Sequence, residues 1–202
     1  MFKKLGAIFA VASLILLLTA CKNSDESSAY SEEDKDNEAS TTTNANEDID
    51  AAGDKVGDTY EIDGGTAKVL AINKKETTAM AGPMEVTIKK VRAAIANDQV
   101  PFIELEIETK NTSDDVIQFY PEGKLATSTG VQIDKPSSDE SDDLLGTYVG
   151  EVNSSGSVFY ILDNKEDLEN LDWIRLLIVG PRNDKTAALV AEDLDLKIEL
   201  QH

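Results

Sequence analysis

From Phe102 to Glu108 the residues alternate strictly: Ile103, Leu105 and Ile107 fall on one side of an extended backbone, and Glu104, Glu106 and Glu108 fall on the other. A helix would scatter both sets around its circumference, whereas a strand separates them. The segment must therefore belong to a sheet with one apolar side to cover. The same period recurs in Leu194, Leu196, Ile198 and Leu200 against Asp195, Lys197 and Glu199, and in Met84, Val86 and Ile88 against Glu85, Thr87 and Lys89. Tyr60 and Ile62, the turn Asp63-Gly64-Gly65 and the run Thr66 to Ile72 predict a hairpin. Val158 to Leu162 and Trp173 to Val179 are apolar at most positions, which predicts central strands covered from both sides. Gly180-Pro181 ends the second of these, because proline cannot continue a ladder. The pattern predicts an all-β domain over 56–202, with about eight or nine antiparallel strands spaced as in a sandwich or barrel. One or two short helices are expected, over Asn164 to Leu171 behind an Asn164 cap and, more weakly, over Thr186 to Glu192, which fits a strand equally well.

Composition removes whole classes of function. The chain carries 39 acidic against 19 basic residues, a net charge of −20, which opposes binding to the phosphates of nucleic acid. A single Cys excludes an intramolecular disulfide and a thiolate metal cluster. The one His is the final residue, so a Ser-His-Asp or Cys-His centre lacks its base. No cofactor is expected and the chain is read as non-catalytic. Paired carboxylates can hydrolyse glycosides, but among so many acids some pair always looks suitable, so abundance removes the signal.

Lys3 and Lys4 precede an uncharged, mostly apolar run from Leu5 to Leu18, and Leu18-Thr19-Ala20-Cys21 follows. The run is shorter than the roughly 20 residues of a spanning helix and fits the core of a signal peptide over 1–20. The arrangement resembles the lipobox of bacterial lipoproteins. That resemblance implies cleavage before Cys21, a diacylglycerol on its sulfur and acylation of the new amino group. It places the mature chain on the extracytoplasmic face of the cell membrane, with the membrane itself as partner. Residues 22–55 hold 11 acids, three lysines and few large apolar side chains, for a net charge of −8. Such a segment cannot bury enough surface to offset its ordering entropy, so 21–55 is expected to be a disordered acidic tether. A coil of this length averages about 30 Å end to end.

Two stretches of the domain carry a second resemblance. Glu104 to Asn111 followed by Thr112-Ser113-Asp114-Asp115 is similar to the strand and Asn-Thr-Ser turn of immunoglobulin-like lipoprotein domains found on Gram-positive cell surfaces. Gly150-Glu151-Val152 and then Gly156-Ser157-Val158-Phe159-Tyr160 are similar to a later glycine, spacer, glycine and apolar-strand segment of the same domains. The resemblance spans roughly 60–200 and implies an immunoglobulin-like antiparallel β-sandwich. It brings no catalytic or binding residues, and a fold alone carries no function.

Candidate sites remain to be weighed. The Glu104, Glu106, Glu108 stripe is expected to be the wet side of its strand, with a cation ladder or a basic partner as the alternative. Asp139, Glu140, Asp142 and Asp143 stand in the long stretch from Pro121 to Leu144 and are weak candidates for calcium, whose ligands are oxygens. They lack the spacing of a calcium loop, and the plainer reading is a flexible acidic loop. Asp163 to Asp167 also fails that spacing, since Leu168 stands where glycine is needed. Trp173 is expected in the core. The favoured function is a membrane-anchored surface lipoprotein that presents its sandwich to a protein or cell-envelope partner. The alternatives are a small-molecule or metal-ion binding lipoprotein serving a transporter, and a cell-wall hydrolase with paired carboxylates.

Overall fold

The computed structural model describes residues 53–144 and 146–202. The signal peptide, Cys21 and the tether up to residue 52 lie outside the described residues. The alternating segments form the strands expected of them, and the longest belong to one large antiparallel sheet. Its members are β1 (Thr59–Ile62), β2 (Gly65–Asn73), β3 (Thr77–Ala81), β4 (Met84–Ala96) and β5 (Val100–Asn111). After β6 (Val116–Gln118), β7 (Lys124–Thr127), β8 (Gln132–Ile133) and β9 (Thr147–Val149) comes its last strand, β10 (Asn153–Ile161). The chain closes with β11 (Trp173–Ile178), β12 (Arg182–Asn183) and β13 (Leu194–Glu199). The large sheet runs β1-β2-β4-β5-β10, with β3 pairing the first half of β4. A second sheet runs β13-β11-β7-β8 and a small third one β12-β6-β9. All the pairings are antiparallel.

One apolar core joins the three sheets. Val86, Ile88, Ile103, Leu105 and Ile107 of the large sheet meet Leu125, Ile174, Leu176 and Ile198 of the second, and Ile117 and Tyr148 close the end from the third. The fold is thus all-β and sandwich-like. The hairpin between β4 and β5 turns at Asn97 and Asp98, both at positive φ (48° and 57°), a conformation that short polar side chains tolerate better than most. Within β4, the run Ile88-Lys89-Lys90-Val91 puts two lysines between inward-facing residues. The register therefore shifts between Ile88 and Lys90. This bulge lets Val91 regain the core side while both lysines stay outside.

Several expectations need correction. β10 and β11 are not covered on both faces. In β11, Ile174, Leu176 and Ile178 are buried while Arg175 and Leu177 are exposed, and β10 is an edge strand with Ile161 exposed. Trp173 is only half-buried: it shares the outer face with Arg175, and the Lys197 ammonium stands 4.9 Å from its ring centre. The helix expected over Asn164 to Leu171 is a single 3₁₀ turn, Lys165–Leu168, which buries Leu168. Thr186 to Glu192 forms no helix. Ala187 takes positive φ there, and Leu189 bridges Arg182.

Leu105 is fully enclosed. Leu105→Ala should lower unfolding stability by about 2–5 kcal/mol. Glu140→Ala on the exposed loop should change it by less than about 0.5 kcal/mol. Urea unfolding of the two variants, with unchanged denaturant slopes, checks both values.

Candidate functional site

The acidic stripe of β5 is where the structure departs furthest from expectation. Pairing with β4 sets Arg92 opposite Glu104 and Lys90 opposite Glu106, while Glu108 stands opposite Thr87. Arg92 and Glu104 are each only 6% exposed. Arg92 Nη1 lies 2.9 Å from both Glu104 Oε2 and Glu106 Oε1, and its Nε donates to the Gly53 carbonyl at 3.1 Å. Tyr60 Oη donates to Glu104 Oε2 at 2.9 Å and Ser157 Oγ donates to Glu104 Oε1 at 3.1 Å. The guanidinium also stands 5.0 Å from the centre of the Tyr60 ring. Lys90 bonds Asp54 at 2.7 Å, and Lys89 pairs with Glu108. The stripe is therefore not simply the wet side of a strand. Its first member is buried in an ionic cluster beside a second apolar group that includes Tyr60, Val69, Ala94 and Phe102.

Burial opposes the charge on Arg92, but Glu104 and Glu106 outweigh it and hold the guanidinium above its ordinary pKa. Burial, followed by the neighbouring Glu104, pushes the Tyr60 hydroxyl far above its usual value. Tyr160, whose hydroxyl donates to the Gly123 carbonyl at 2.8 Å, is raised chiefly by burial. The cover over the cluster begins at Gly53, which is buried at φ 54°. A Cβ added there would meet the Tyr60 ring at 2.6 Å. Two residues assigned to the tether by composition, Gly53 and Asp54, thus hold on to the sheet.

The acidic loop has a structural occupation. Ser137 N donates to the Phe159 carbonyl at 2.8 Å, and Asp142 N donates to the Ser157 carbonyl at 2.9 Å. In return Asp142 Oδ2 accepts from Ser157 N at 2.7 Å, and Ser141 Oγ accepts from Phe159 N at 2.9 Å. The loop closes the open edge of β10 with the hydrogen bonds a further strand would have made. Asp139, Glu140 and Asp143 are exposed around it. Among the described residues, no three His, Cys, Asp or Glu side chains gather where a metal could sit. Glu122 is half-buried; burial, then Asp143, raises its carboxyl above the ordinary range. No helix among the described residues is long and apolar enough to cross a membrane.

A third feature escaped the sequence. Tyr120 is 61% exposed and Val179 59% exposed, and both border a groove of about 120 Å³ with Gln118, Gly180 and Arg182. Among the described residues Tyr120 is the exposed aromatic side chain, while Trp173 is half-buried.

No family model matches the chain. The chain is 56% identical over 168 residues, 82% of each partner, to the SPbeta prophage-derived uncharacterized lipoprotein YonS of Bacillus subtilis (strain 168). The chain belongs to the YonS family. Two solved structures show looser likeness, each with a TM-score of 0.45. They are ycdA of Bacillus subtilis (18% identity, covering 62% of this chain and 39% of that one) and a functionally unknown protein of Listeria monocytogenes EGD-e (11%, covering 67% and 87%).

The buried polar groups of this YonS-family domain allow two tests. Arg92→Met strands Glu104 in the sheet and should lower stability by about 3–5 kcal/mol, whereas the double variant Arg92→Met, Glu104→Leu should recover most of the loss. A double-mutant cycle of unfolding free energies measures it. Tyr60 and Tyr160 ionise above the ordinary value of about 10 in the folded chain, so the stability they confer is full below that pH and declines as pH rises past it. Thermal melts between pH 8 and 11 (about one unit or more either side of the ordinary value) should show this decline, and Tyr60→Phe should flatten it.

Proposed function

We propose that this chain is a lipid-anchored, non-catalytic surface protein, held by Cys21 on the extracytoplasmic face of the membrane and presenting its β-domain to a protein or cell-envelope partner. The observation that carries the reading is the 56% identity to a protein described as a lipoprotein, taken with Leu18-Thr19-Ala20-Cys21 behind an apolar run. The alignment is longer than residues 53–202 and so extends into residues 1–52. One acyl chain binds a membrane only marginally, whereas the two or three of a processed lipoprotein make attachment effectively permanent.

The domain fits the role of a presented head. Two larger antiparallel sheets and a small third one over one core support the finer description of an immunoglobulin-like sandwich, and the groove beside Tyr120 offers surface for a partner. Gly53 and Asp54, the first described residues, bind on the outer face of the large sheet, which supports a head joined there to its tether.

Cys21→Ala should abolish incorporation of an alkyne-labelled fatty acid. It should also move the protein from the membrane fraction to the medium, or leave it as an uncut precursor. Labelling at the wild-type level in that variant refutes the anchor.

A further inference from the structure

We propose that the outer face of the small sheet β12-β6-β9, with Tyr120 at its rim, binds a neutral glycan, a chain of uncharged pyranose rings. The inference rests on the envelope-contact reading above and supplies the chemistry of the partner.

The register of the sheet creates the site. Ile117 and Tyr148 pair across β6 and β9 and are wholly buried, so that row faces the core. The adjoining row, in which Gln118 pairs with Thr147 on one side and Arg182 on the other, must face outward. A guanidinium, an amide and a hydroxyl thus stand side by side at the strand spacing of about 4.8 Å, close to the width of a sugar ring. Two of the three are already oriented. Gln118 Nε2 donates to Asp184 Oδ1 at 2.8 Å, and Arg182 Nη1 donates to the Ala187 carbonyl at 3.1 Å. Planar groups fixed in advance lose little freedom when a ligand arrives.

Tyr120 continues the outward alternation of β6 past the buried Phe119. Its ring is seated against Gly146, where an added Cβ would lie 2.3 Å from Cε1. The backbone therefore backs the ring on that side, and the rest of it is open to the groove it shares with Val179. A flat aromatic surface next to hydrogen-bonding side chains matches a pyranose, whose ring hydrogens form an apolar face and whose hydroxyls project around the rim. Tyrosine suits such a mixed contact because its body is apolar and its tip polar.

Charge and patch shape select this occupant over others. A net charge of −20 repels anionic polymers and anionic lipid headgroups, and an uncharged glycan escapes that field. A protein partner favours an apolar centre within an area of about 800 Å² per side. Here the polar row divides the apolar residues, with Tyr120 and Val179 on one side and Val149 on the other.

The test uses the full lipidated chain in neutral detergent, cosedimented with insoluble chitin, a neutral pyranose polymer, with a chito-oligosaccharide as soluble competitor. Wild type should pellet and be displaced by the competitor. Tyr120→Ala should bind about tenfold more weakly, with an unchanged melting midpoint. Tyr120→Phe, which keeps the stacking surface, should retain binding, and Gln118→Ala should weaken it. Wild type remaining in the supernatant overturns the glycan inference, as does equal pelleting of wild type and Tyr120→Ala. A protein crosslinked through residue 120 in cells, without any pelleting, also overturns it while leaving the surface-presentation reading in place. Loss of that reading shows separately, as unchanged fatty-acid labelling of Cys21→Ala.

Discussion

The pairing of β4 with β5 is the constraint on which the remaining structure rests. It has two faces to satisfy at once. Inward, Val86, Ile88, Val91, Ile103, Leu105 and Ile107 form a continuous apolar surface that the second and third sheets cover. Outward, the same register brings Lys90 and Arg92 against Glu106 and Glu104. A slip of one residue would bury the acids and expose the aliphatics, so both faces enforce the same pairing. The bulge at Lys89 reconciles the two requirements, because without it Val91 and Arg92 would exchange sides.

A buried ion pair is not in itself evidence of stability, since removing two charges from water costs about as much as their attraction returns. What the Arg92 cluster adds is definition. The guanidinium donates to Glu104, Glu106 and the Gly53 carbonyl, and Tyr60 and Ser157 donate to Glu104. These bonds tie β1, β4, β5, β10 and the segment before β1 into one arrangement. An apolar replacement could be equally stable without holding Gly53 in place. The position of the chain just ahead of β1 is thereby set by chemistry on the sheet, not by composition.

This explains what was legible in the residues and what was not. Alternation located β1, β2, β5 and β13 and the first half of β4, because period two is a local property. The fate of Glu104 was hidden, since three acids in alternation look solvated until the partner strand is known to carry Arg92 at the matching register. The one-sided burial of β10 and β11 was hidden for a related reason. Apolar content shows that a residue tolerates burial, not that anything covers it, and Leu177 and Ile161 are exposed. Tyr120 gave no signal because its significance comes from Gly146 and Arg182, which are distant in sequence. The acids from Asp139 to Asp143 read as a flexible loop, with calcium as the weak alternative, while the structure employs Asp142 to close a strand, a partnership that depends on the distant Ser157.

That closure matters more for an anchored protein than for a free one. An unpaired edge invites another chain to add a strand, and the rate of such encounters rises with local concentration. Lipid anchoring confines molecules to a plane and raises that concentration without any change in affinity. β10 is a long strand at the margin of the large sheet, with Val158, Phe159 and Tyr160 in sequence, and it would be a hazard if open. The loop from Ser137 to Asp142 occupies its hydrogen bonds, and the exposed carboxylates of Asp139 and Glu140 add like charge wherever two such edges approach. These acids, which do not gather in a group able to hold a metal among the described residues, thus work against edge-to-edge pairing of neighbouring copies.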